Sequence, residues 1–247
     1  MVLSETGYEG RRFVRRFTFR FGDCDANKRA SVFAVMKLLS EASGEDYEGR
    51  GMGHSFLWER GQSFIIARMA IEFDLMPRHT QTVLLSTWER GAKGPYFHRD
   101  YEMRDEKGAL LAAGTSQWLL VDPLSREILR PAELFGGLPA ENPDLAPCAP
   151  CKRIRPKGEL SFLGQRPVYY SDLDANGHVN NAVYGKIASD FLPEDMRKLP
   201  VKRLDVNFNM ETRLGETLEL YGGTTPGGYM IQGKSGSTLR FGCEFAF

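Results

Sequence analysis

The sequence predicts an α+β protein in which one structural unit occurs twice. Three observations carry this prediction: a motif repeated without a gap, an amphipathic helical pattern after each copy, and four strand-like runs after each helix. Consecutive strands joined by short turns favour an antiparallel sheet. A helix with one broad apolar face buries that face against such a sheet. We therefore expect each half to be a curved antiparallel sheet wrapped around one long helix.

The repeat becomes visible when residues 23–41, DCDANKRASVFAVMKLLSE, are aligned with residues 172–190, DLDANGHVNNAVYGKIASD. Internal repeats decide the architecture of a chain, so they are read before its other signals. Each D-x-D-A-N lies between a strand-like segment and a helical pattern. The identical pairs are Asp23 and Asp172, Asp25 and Asp174, Ala26 and Ala175, Asn27 and Asn176, Lys37 and Lys186, and Ser40 and Ser189.

The elements of the first half follow in chain order. Alternating polar and aromatic residues at 16–21 predict a half-buried strand. Apolar residues at helical spacing predict the first long helix; they are Val32, Val35, Met36 and Leu39. Strand-like runs separated by turn-forming clusters such as GAKGP and DEKG come next, at residues 64–73, 82–89, 97–104 and 109–121.

The second half repeats this order. Residues 168–170 predict the strand before the motif, and the helical spacing of apolar residues from Val183 to Phe191 predicts the second helix. Strand-like runs follow at residues 202–208, 216–221, 229–234 and 237–247.

A Pro-rich stretch separates the two halves. Residues 138–157 contain five prolines and show neither a helical nor a strand period, which predicts a linker. The expected domains are therefore residues 1–137 and residues 158–247.

Composition and charge exclude several classes of function. The 247 residues include 32 basic and 32 acidic side chains, and this balance gives no support for a nucleic-acid or anionic-membrane partner. No run approaches ~18 consecutive apolar residues, and the N-terminal residues lack the apolar core of a signal peptide. We expect a cytoplasmic protein that binds neither nucleic acid nor membrane.

The four cysteines include one C-x-x-C, formed by Cys148 and Cys151. Redox or metal chemistry is one interpretation of this spacing. The Pro-rich surroundings and the lack of a second C-x-x-C favour free thiols instead. His54, His79 and His98 also lack metal-ligand spacing, so no metal or cofactor is expected.

A dense polar cluster occupies residues 171–181. Asp174, Asn176 and His178 are spaced two residues apart, so in an extended segment their side chains point to the same side. A histidine titrates near neutral pH, and an asparagine amide can donate to a carbonyl oxygen. Such a set is suited to polarising a carbonyl and activating water.

The flanking polar residues have a structural interpretation. Asn180 and Asn181 are expected to cap or begin the helix, and Asp172 is expected to form a turn.

Residues 172–184, DLDANGHVNNAVY, resemble the second-half motif of the acyl-[acyl carrier protein] thioesterases of plants and bacteria. Residues 86–122 are similar to the first-half sheet of the same family, and the resemblance spans nearly the whole chain. It implies a tandem hotdog fold and hydrolysis of fatty acyl thioesters without a cofactor. The implied partner is an acyl carrier protein with its phosphopantetheine-linked fatty acyl chain.

The resemblance also implies roles for individual residues. Glu211, in the segment NFNMET, falls on the catalytic glutamate of the family, and Thr212 stands where the family has a cysteine. This departure disfavours a cysteine nucleophile. The implied chemistry is attack by water activated by Glu211, with Asn176 and His178 polarising the carbonyl and Asp174 orienting them. The residue that takes the proton stays open.

The first copy of the motif has Arg29 where the second has His178, which indicates one working site and one degenerate copy. By the resemblance, the first half would house the acyl chain, with residues 64–67 as candidate wall. Basic clusters at residues 11–16 and 152–157 are candidate docks for an acidic carrier. The alternatives are an acyl-CoA thioesterase on the same fold and a non-catalytic acyl-thioester-binding module. Homodimerisation also stays open.

Overall fold

A computed structural model describes residues 6–138, 142–156 and 158–247. In this part of the chain, eleven antiparallel strands form one sheet in the order β1-β2-β4-β5-β6-β3-β8-β11-β10-β9-β7. The strands are β1 (Thr6–Glu9), β2 (Arg12–Thr18), β3 (Ser63–Phe73), β4 (Thr82–Lys93), β5 (Tyr96–Asp105), β6 (Leu110–Val121), β7 (Ser161–Pro167), β8 (Arg203–Phe208), β9 (Thr217–Thr225), β10 (Gly228–Ser235) and β11 (Thr238–Ala246).

Four helices lie on one face of this sheet or beside its ends. They are α1 (Val32–Gly49), α2 (His54–Trp58), α3 (Asn181–Asp190) and α4 (Glu194–Arg197). The long helices α1 and α3 start in the same way, because the side chains of Ser31 and Asn180 accept the backbone N–H groups of Ala34 and Ala182. No helix within the described ranges combines the length and the apolar character needed to cross a bilayer.

One hydrophobic core serves both halves. The helices α1 and α3 contact each other, and their apolar faces pack with the inward residues of the strands. Fully buried members of this core come from each half; examples are Met36, Leu39, Ile71, Ile187, Val206 and Phe241.

The halves meet where β3 pairs with β8. The register runs from Arg68 opposite Asn207 to Glu72 opposite Arg203. β3 starts five residues before Arg68, at Ser63, whereas β8 ends one residue after Asn207. The start of β3 therefore projects beyond β8, towards the segment that carries Glu211.

Most of the predicted elements are confirmed: both long helices, and all eight strands that follow them, differ from prediction mainly at their ends. The strand predicted at residues 168–170 is wrong, because β7 ends at Pro167 and a 3-10 turn spans Tyr170–Asp172. The strand predicted at 16–21 is displaced, because β2 ends at Thr18 and a second 3-10 turn spans Phe21–Asp23. Each turn closes when its aspartate accepts a backbone N–H three residues earlier.

Residues 142–156, called the strap below, have no regular secondary structure and cross the sheet face opposite the helices. Trp88 Nε1 donates to the carbonyl of Asp144 at 2.9 Å, and the amide side chain of Asn207 donates to the carbonyl of Lys152 at 2.9 Å. The strap is therefore anchored to both halves. Residues 139–141 and 157 of the predicted linker lie outside the described residues.

Two helix glycines give a test of the packing between α1 and α3. A Cβ at Gly185 would lie 2.9 Å from Val32 Cγ1 and 2.5 Å from Met36 Sδ, whereas a Cβ at Gly44 meets nothing within 4 Å. We expect Gly185→Ala to lower the free energy of unfolding by about 1–3 kcal/mol, because it overpacks the contact between the helices. We expect Gly44→Ala to raise it by up to ~1 kcal/mol through helix propensity.

Urea unfolding of both variants and the wild type measures these changes. A Gly185→Ala protein as stable as Gly44→Ala would contradict the close approach of α1 and α3.

Candidate active site

The loop before α3 is shaped by one aspartate. Asp174 Oδ1 accepts the backbone N–H groups of Asn176 at 2.9 Å and His178 at 3.3 Å, and the Asp174 N–H donates to the His178 carbonyl at 2.8 Å. Gly177 has a φ of 73°, the left-handed conformation that such a tight loop needs. Asp174 thus positions Asn176 and His178 through their backbone.

The loop before α1 has the same construction. Asp25 Oδ1 accepts the backbone N–H groups of Asn27 at 2.8 Å and Arg29 at 3.0 Å. Lys28, with a φ of 61°, takes the place of Gly177. The aspartate is therefore a loop-forming residue in both copies, and the copies differ in what the loop presents.

The second copy presents His178 to Glu211. The Nε2 atom of His178 lies 3.3 Å from Glu211 Oε2, and the two side chains are 21% and 31% exposed. Backbone contacts set this meeting: His178 forms an antiparallel bridge with Arg213, and the Val179 N–H donates to the Thr212 carbonyl at 2.8 Å. A carboxylate paired with an imidazole at a solvent-accessible surface is suited to taking a proton from water.

Three arginines also hold the Glu211 segment. Arg126 Nη2 lies 3.0 Å from Glu211 Oε2, and Arg213 Nη2 lies 2.6 Å from Oε1. Arg240 Nη1 donates to the Glu211 backbone carbonyl at 2.8 Å. Sequence reasoning missed Arg126, because it lies 85 residues before Glu211 and no local pattern marks it.

Asn176 lies on the loop beside this pair. Its side chain is exposed, and its amide forms no hydrogen bond with the residues that the structure describes. The amide N–H groups are thus available to a ligand that reaches His178 and Glu211.

The first copy lacks the acid–base pair. Arg29 forms an antiparallel bridge with Arg78, as His178 does with Arg213. The Ala30 N–H donates to the Pro77 carbonyl, as the Val179 N–H does to the Thr212 carbonyl. By this register, Met76 stands where Glu211 stands, and its side chain is buried. A thioether and a guanidinium offer no general base at neutral pH.

Two family models match the chain. The acyl-ACP thioesterase N-terminal domain matches residues 10–134, and the acyl-ACP thioesterase C-terminal domain matches residues 157–241. The chain belongs to the acyl-ACP thioesterase family. The family predicted from the second-half motif is thereby confirmed.

Individual relatives agree with this membership. A chloroplastic acyl-[acyl-carrier-protein] hydrolase from Cuphea viscosissima is 24% identical over 240 residues, which cover 92% of this chain and 58% of that protein. The chain thus spans a little over half the length of this curated relative.

Solved structures show the same fold. The acyl-ACP thioesterase from Bacteroides thetaiotaomicron superposes with a TM-score of 0.87 at 21% identity, covering 96% of this chain and 98% of that one. The 12:0-ACP thioesterase from Umbellularia californica superposes with a TM-score of 0.80 at 18% identity, covering 97% and 98%. The tandem hotdog fold is confirmed.

Thr212, which replaces the cysteine of the acyl-ACP thioesterase motif, is a packing residue here. It is fully buried, and its hydroxyl accepts a hydrogen bond from Tyr184 at 3.0 Å. The four cysteines form no disulfide bond with one another. Burial raises the pKa of Cys148 and of Cys151 to about 12, so both strap thiols stay protonated at neutral pH.

The pattern of His, Cys, Asp and Glu gives no metal site: among the described residues, no three of these side chains come together as a ligand group.

A pocket of about 210 Å³ lies in the first half of this acyl-ACP thioesterase family member, between the C-terminal part of α1, α2 and the sheet. Phe64, Phe97 and Trp118 form its apolar wall, and Gly44 borders it from α1. Phe64 is part of the predicted wall at residues 64–67. The strand pairing of Ser63 with Val121 places the pocket next to the turn that carries Arg126.

The flanking residues have the structural roles predicted for them. Asn180 is the N-cap of α3, and Asn181 is its first residue. Asp172 closes the preceding turn through the Tyr169 N–H at 2.8 Å and pairs with both terminal nitrogens of Arg166, one of them at 2.7 Å. Burial alone would raise the pKa of Asp172, but the hydrogen bonds from Arg166 and from Tyr169 outweigh it and lower the pKa.

This shift predicts a pH-dependent contribution to stability. The unfolded carboxyl titrates near ~3.9, so a lowered folded-state pKa stabilises the protein above that pH and is lost as the pH falls through the folded value. We expect Asp172→Asn to lower the free energy of unfolding by about 2 kcal/mol at pH 7, and we expect its difference from the wild type to shrink as the pH falls below the unfolded value and through the folded one. Urea unfolding across this range measures the difference.

Asp23→Asn is the matched control, because the Asp23 carboxylate accepts a backbone N–H at 2.7 Å but has no arginine partner among the described contacts. If Asp23→Asn lowered the free energy of unfolding as much as Asp172→Asn does, and with the same pH dependence, the role assigned to the ion pair of Asp172 with Arg166 would be contradicted.

Proposed function

We propose that this chain hydrolyses the thioester of a fatty acyl group carried on acyl carrier protein, releasing the free fatty acid and ending chain elongation in fatty acid biosynthesis. Family membership supports the reaction class. The pairing of His178 with Glu211 beside the unoccupied amide of Asn176 supports the assignment of the site to the second half.

The degenerate copy supplies the observation that carries the mechanism. There, the Asn27 amide donates to the backbone carbonyl of Arg197 at 3.0 Å, and Arg29 Nη2 donates to the neighbouring carbonyl of Lys198 at 3.0 Å. Because both loops have the same backbone, Asn176 is built to donate to a carbonyl in the same way. In the active copy, that carbonyl is the one of the substrate thioester.

Strand length explains why only one copy has room for a substrate. Arg203, at the start of β8, corresponds to Arg68 in β3. The helix α4 ends six residues before Arg203 and contacts the first loop. In the other half, β3 starts five residues before Arg68, at Ser63. Each of these residues adds about 3.3 Å to the distance between α2 and the second loop. Consistent with this, Asn176 and Gly177 of the second loop are exposed, whereas Asn27 of the first loop contacts the end of α4.

The proposed reaction uses the residues as follows. Water attacks the thioester carbon while Glu211 takes its proton, and the oxygen that becomes negative accepts hydrogen bonds from Asn176 and from His178. The C–S bond then breaks, and the sulfur of the phosphopantetheine arm takes the proton from Glu211 and leaves as the thiol. Asp174 keeps the loop in place throughout.

The acyl chain is proposed to lie in the first-half pocket. The wall formed by Phe64, Phe97 and Trp118 offers apolar contact to a hydrocarbon chain. The projecting start of β3 connects this wall to the segment of Glu211.

The basic docks for the carrier stay a prediction. Arg12, Arg15 and Arg16 are each paired with acidic side chains of this chain. In the second cluster, Lys152 pairs with Asp205 and Glu244, whereas Arg153 and Arg155 are exposed.

The first experiment compares Asn176→Ala with Asn27→Ala in a free-thiol release assay on fatty acyl esters of acyl carrier protein and of CoA. We expect Asn176→Ala to lose about 10²–10³-fold in kcat, because one carbonyl donor is removed. His178→Ala should lose at least about 10²-fold. Asn27→Ala should keep its activity, since its copy contains no base.

Equal or faster cleavage of CoA esters would assign the chain to acyl-CoA hydrolysis instead. Tight binding of acyl thioesters without thiol release would refute the proposed hydrolysis and would support a non-catalytic acyl-thioester-binding module.

Gly44 tests the placement of the acyl chain. Because a side chain at this position meets open space at the pocket, Gly44→Leu should fold normally and narrow the pocket. We expect about tenfold lower kcat/KM for the longest acyl chain that the wild type accepts, and little change for short chains. A series of acyl esters measures this dependence. An equal loss of kcat/KM at every acyl-chain length would show that the acyl chain does not lie in this pocket.

A further inference from the structure

The turn after β6 sends a first-half side chain into the second-half site. Asp122 Oδ1 accepts the backbone N–H groups of Leu124 and Ser125, both at 2.8 Å, and the Asp122 carbonyl accepts the N–H of Arg126 at 2.9 Å. Arg126 has a φ of 66°. A left-handed conformation is unfavourable for a residue with a Cβ, and such residues concentrate where the position of a side chain matters.

The guanidinium of Arg126 spans the carboxylate of Glu211. Its Nη2 atom lies 3.1 Å from Oε1 and 3.0 Å from Oε2. Arg213 reaches Oε1 alone, at 2.6 Å, and Oε2 also lies 3.3 Å from His178 Nε2. Arg126 therefore contacts the oxygen that faces His178, and Arg213 contacts the other.

Glu211 needs such a constraint. Its main chain, beyond the end of β8 at Phe208, is held by the Arg240 side chain and by the backbone contacts of Thr212 and Arg213, but these contacts leave its side chain free to rotate. A glutamate side chain has three rotatable bonds, and a general base must stay within hydrogen-bond reach of the water it deprotonates. Within the described residues, Arg126 is the one first-half side chain that forms an ion pair or hydrogen bond with Glu211 or His178.

We propose that Arg126 is a positioning residue that holds the Glu211 carboxylate against His178, so that the acyl-binding half completes the catalytic half. This inference rests on the proposed function. The turn of Arg126 directly follows β6, which contributes Trp118 to the pocket wall. The ion pair thus joins the strand beside the acyl chain to the base beside the thioester.

The alternative is an ordinary surface ion pair. The Arg126 side chain is 47% exposed, and pairs of this kind contribute little to stability. Loss of Arg126 should therefore leave the unfolding midpoint unchanged. A change in turnover without a change in stability separates positioning from a structural role.

The experiment compares Arg126→Gln and Arg126→Lys with Arg104→Gln in thiol release from acyl-carrier-protein esters. Arg104→Gln is the matched control, because it removes a comparably exposed arginine from an ion pair with Glu102, which takes no part in the site. We expect Arg126→Gln to lower kcat about 10- to 100-fold with KM within about threefold of wild type. Arg126→Lys should recover part of this loss, and Arg104→Gln should change kcat less than about threefold.

The NMR ring resonances of His178 give a second readout that needs no substrate, and their absence in His178→Ala identifies them. Because Arg126 contacts the Glu211 oxygen that faces this ring, we expect the resonances to shift in Arg126→Gln at fixed pH and to stay in place in Arg104→Gln.

Wild-type turnover in Arg126→Gln would overturn the proposal. Equal impairment in Arg104→Gln would overturn it too, because loss of any comparably exposed arginine pair would then account for the effect. If the wild type releases no thiol from any ester, the proposed function fails, and the NMR comparison decides separately. Unchanged His178 resonances in Arg126→Gln then remove the role of Arg126.

Discussion

Five residue pairs between β3 and β8 hold the two halves in one sheet, and the site depends on their register. Side chains alternate across a strand, so a shift by one residue would turn the core residues of β8 to the opposite face. The observed register buries Val206 opposite Met69 and leaves the end of β8 pointing towards the start of β3. Glu211, three residues beyond β8, therefore lies between the helix loop of its own half and the pocket of the other.

The two copies of the D-x-D-A-N loop share one construction but have different surroundings. Both loops are closed by an aspartate, so the loop itself does not distinguish them. The differences lie in Arg29 and Met76, which replace a histidine and a glutamate, and in α4, whose end occupies the first loop. One half thus carries the pair of His178 and Glu211, and the other carries the pocket with its apolar wall.

Much of the fold could be predicted from sequence, because the repeat and the periodicities are local signals. The aspartates, Asn176 and His178 could be found for the same reason. Glu211 could be found only through the family resemblance, since nothing in NFNMET marks a catalytic residue. Arg126 could not be found, because its contact crosses 85 residues and depends on the β3–β8 register. The predicted strand at residues 168–170 failed because an aspartate, Asp172, closes a turn over its aromatic residues.

The strap makes the duplicated chain a single cooperative unit. Its carbonyls accept hydrogen bonds from Trp88 in the first half and from Asn207 in the second, and its Ala146 N–H donates to the Asp100 carboxylate. The helices share one core on the other face. Neither half can open without exposing apolar surface of its neighbour and releasing the strap. Such coupling favours one all-or-none unfolding transition where a repeat architecture alone would allow two. Local opening is then left to the loops, where a substrate has to enter.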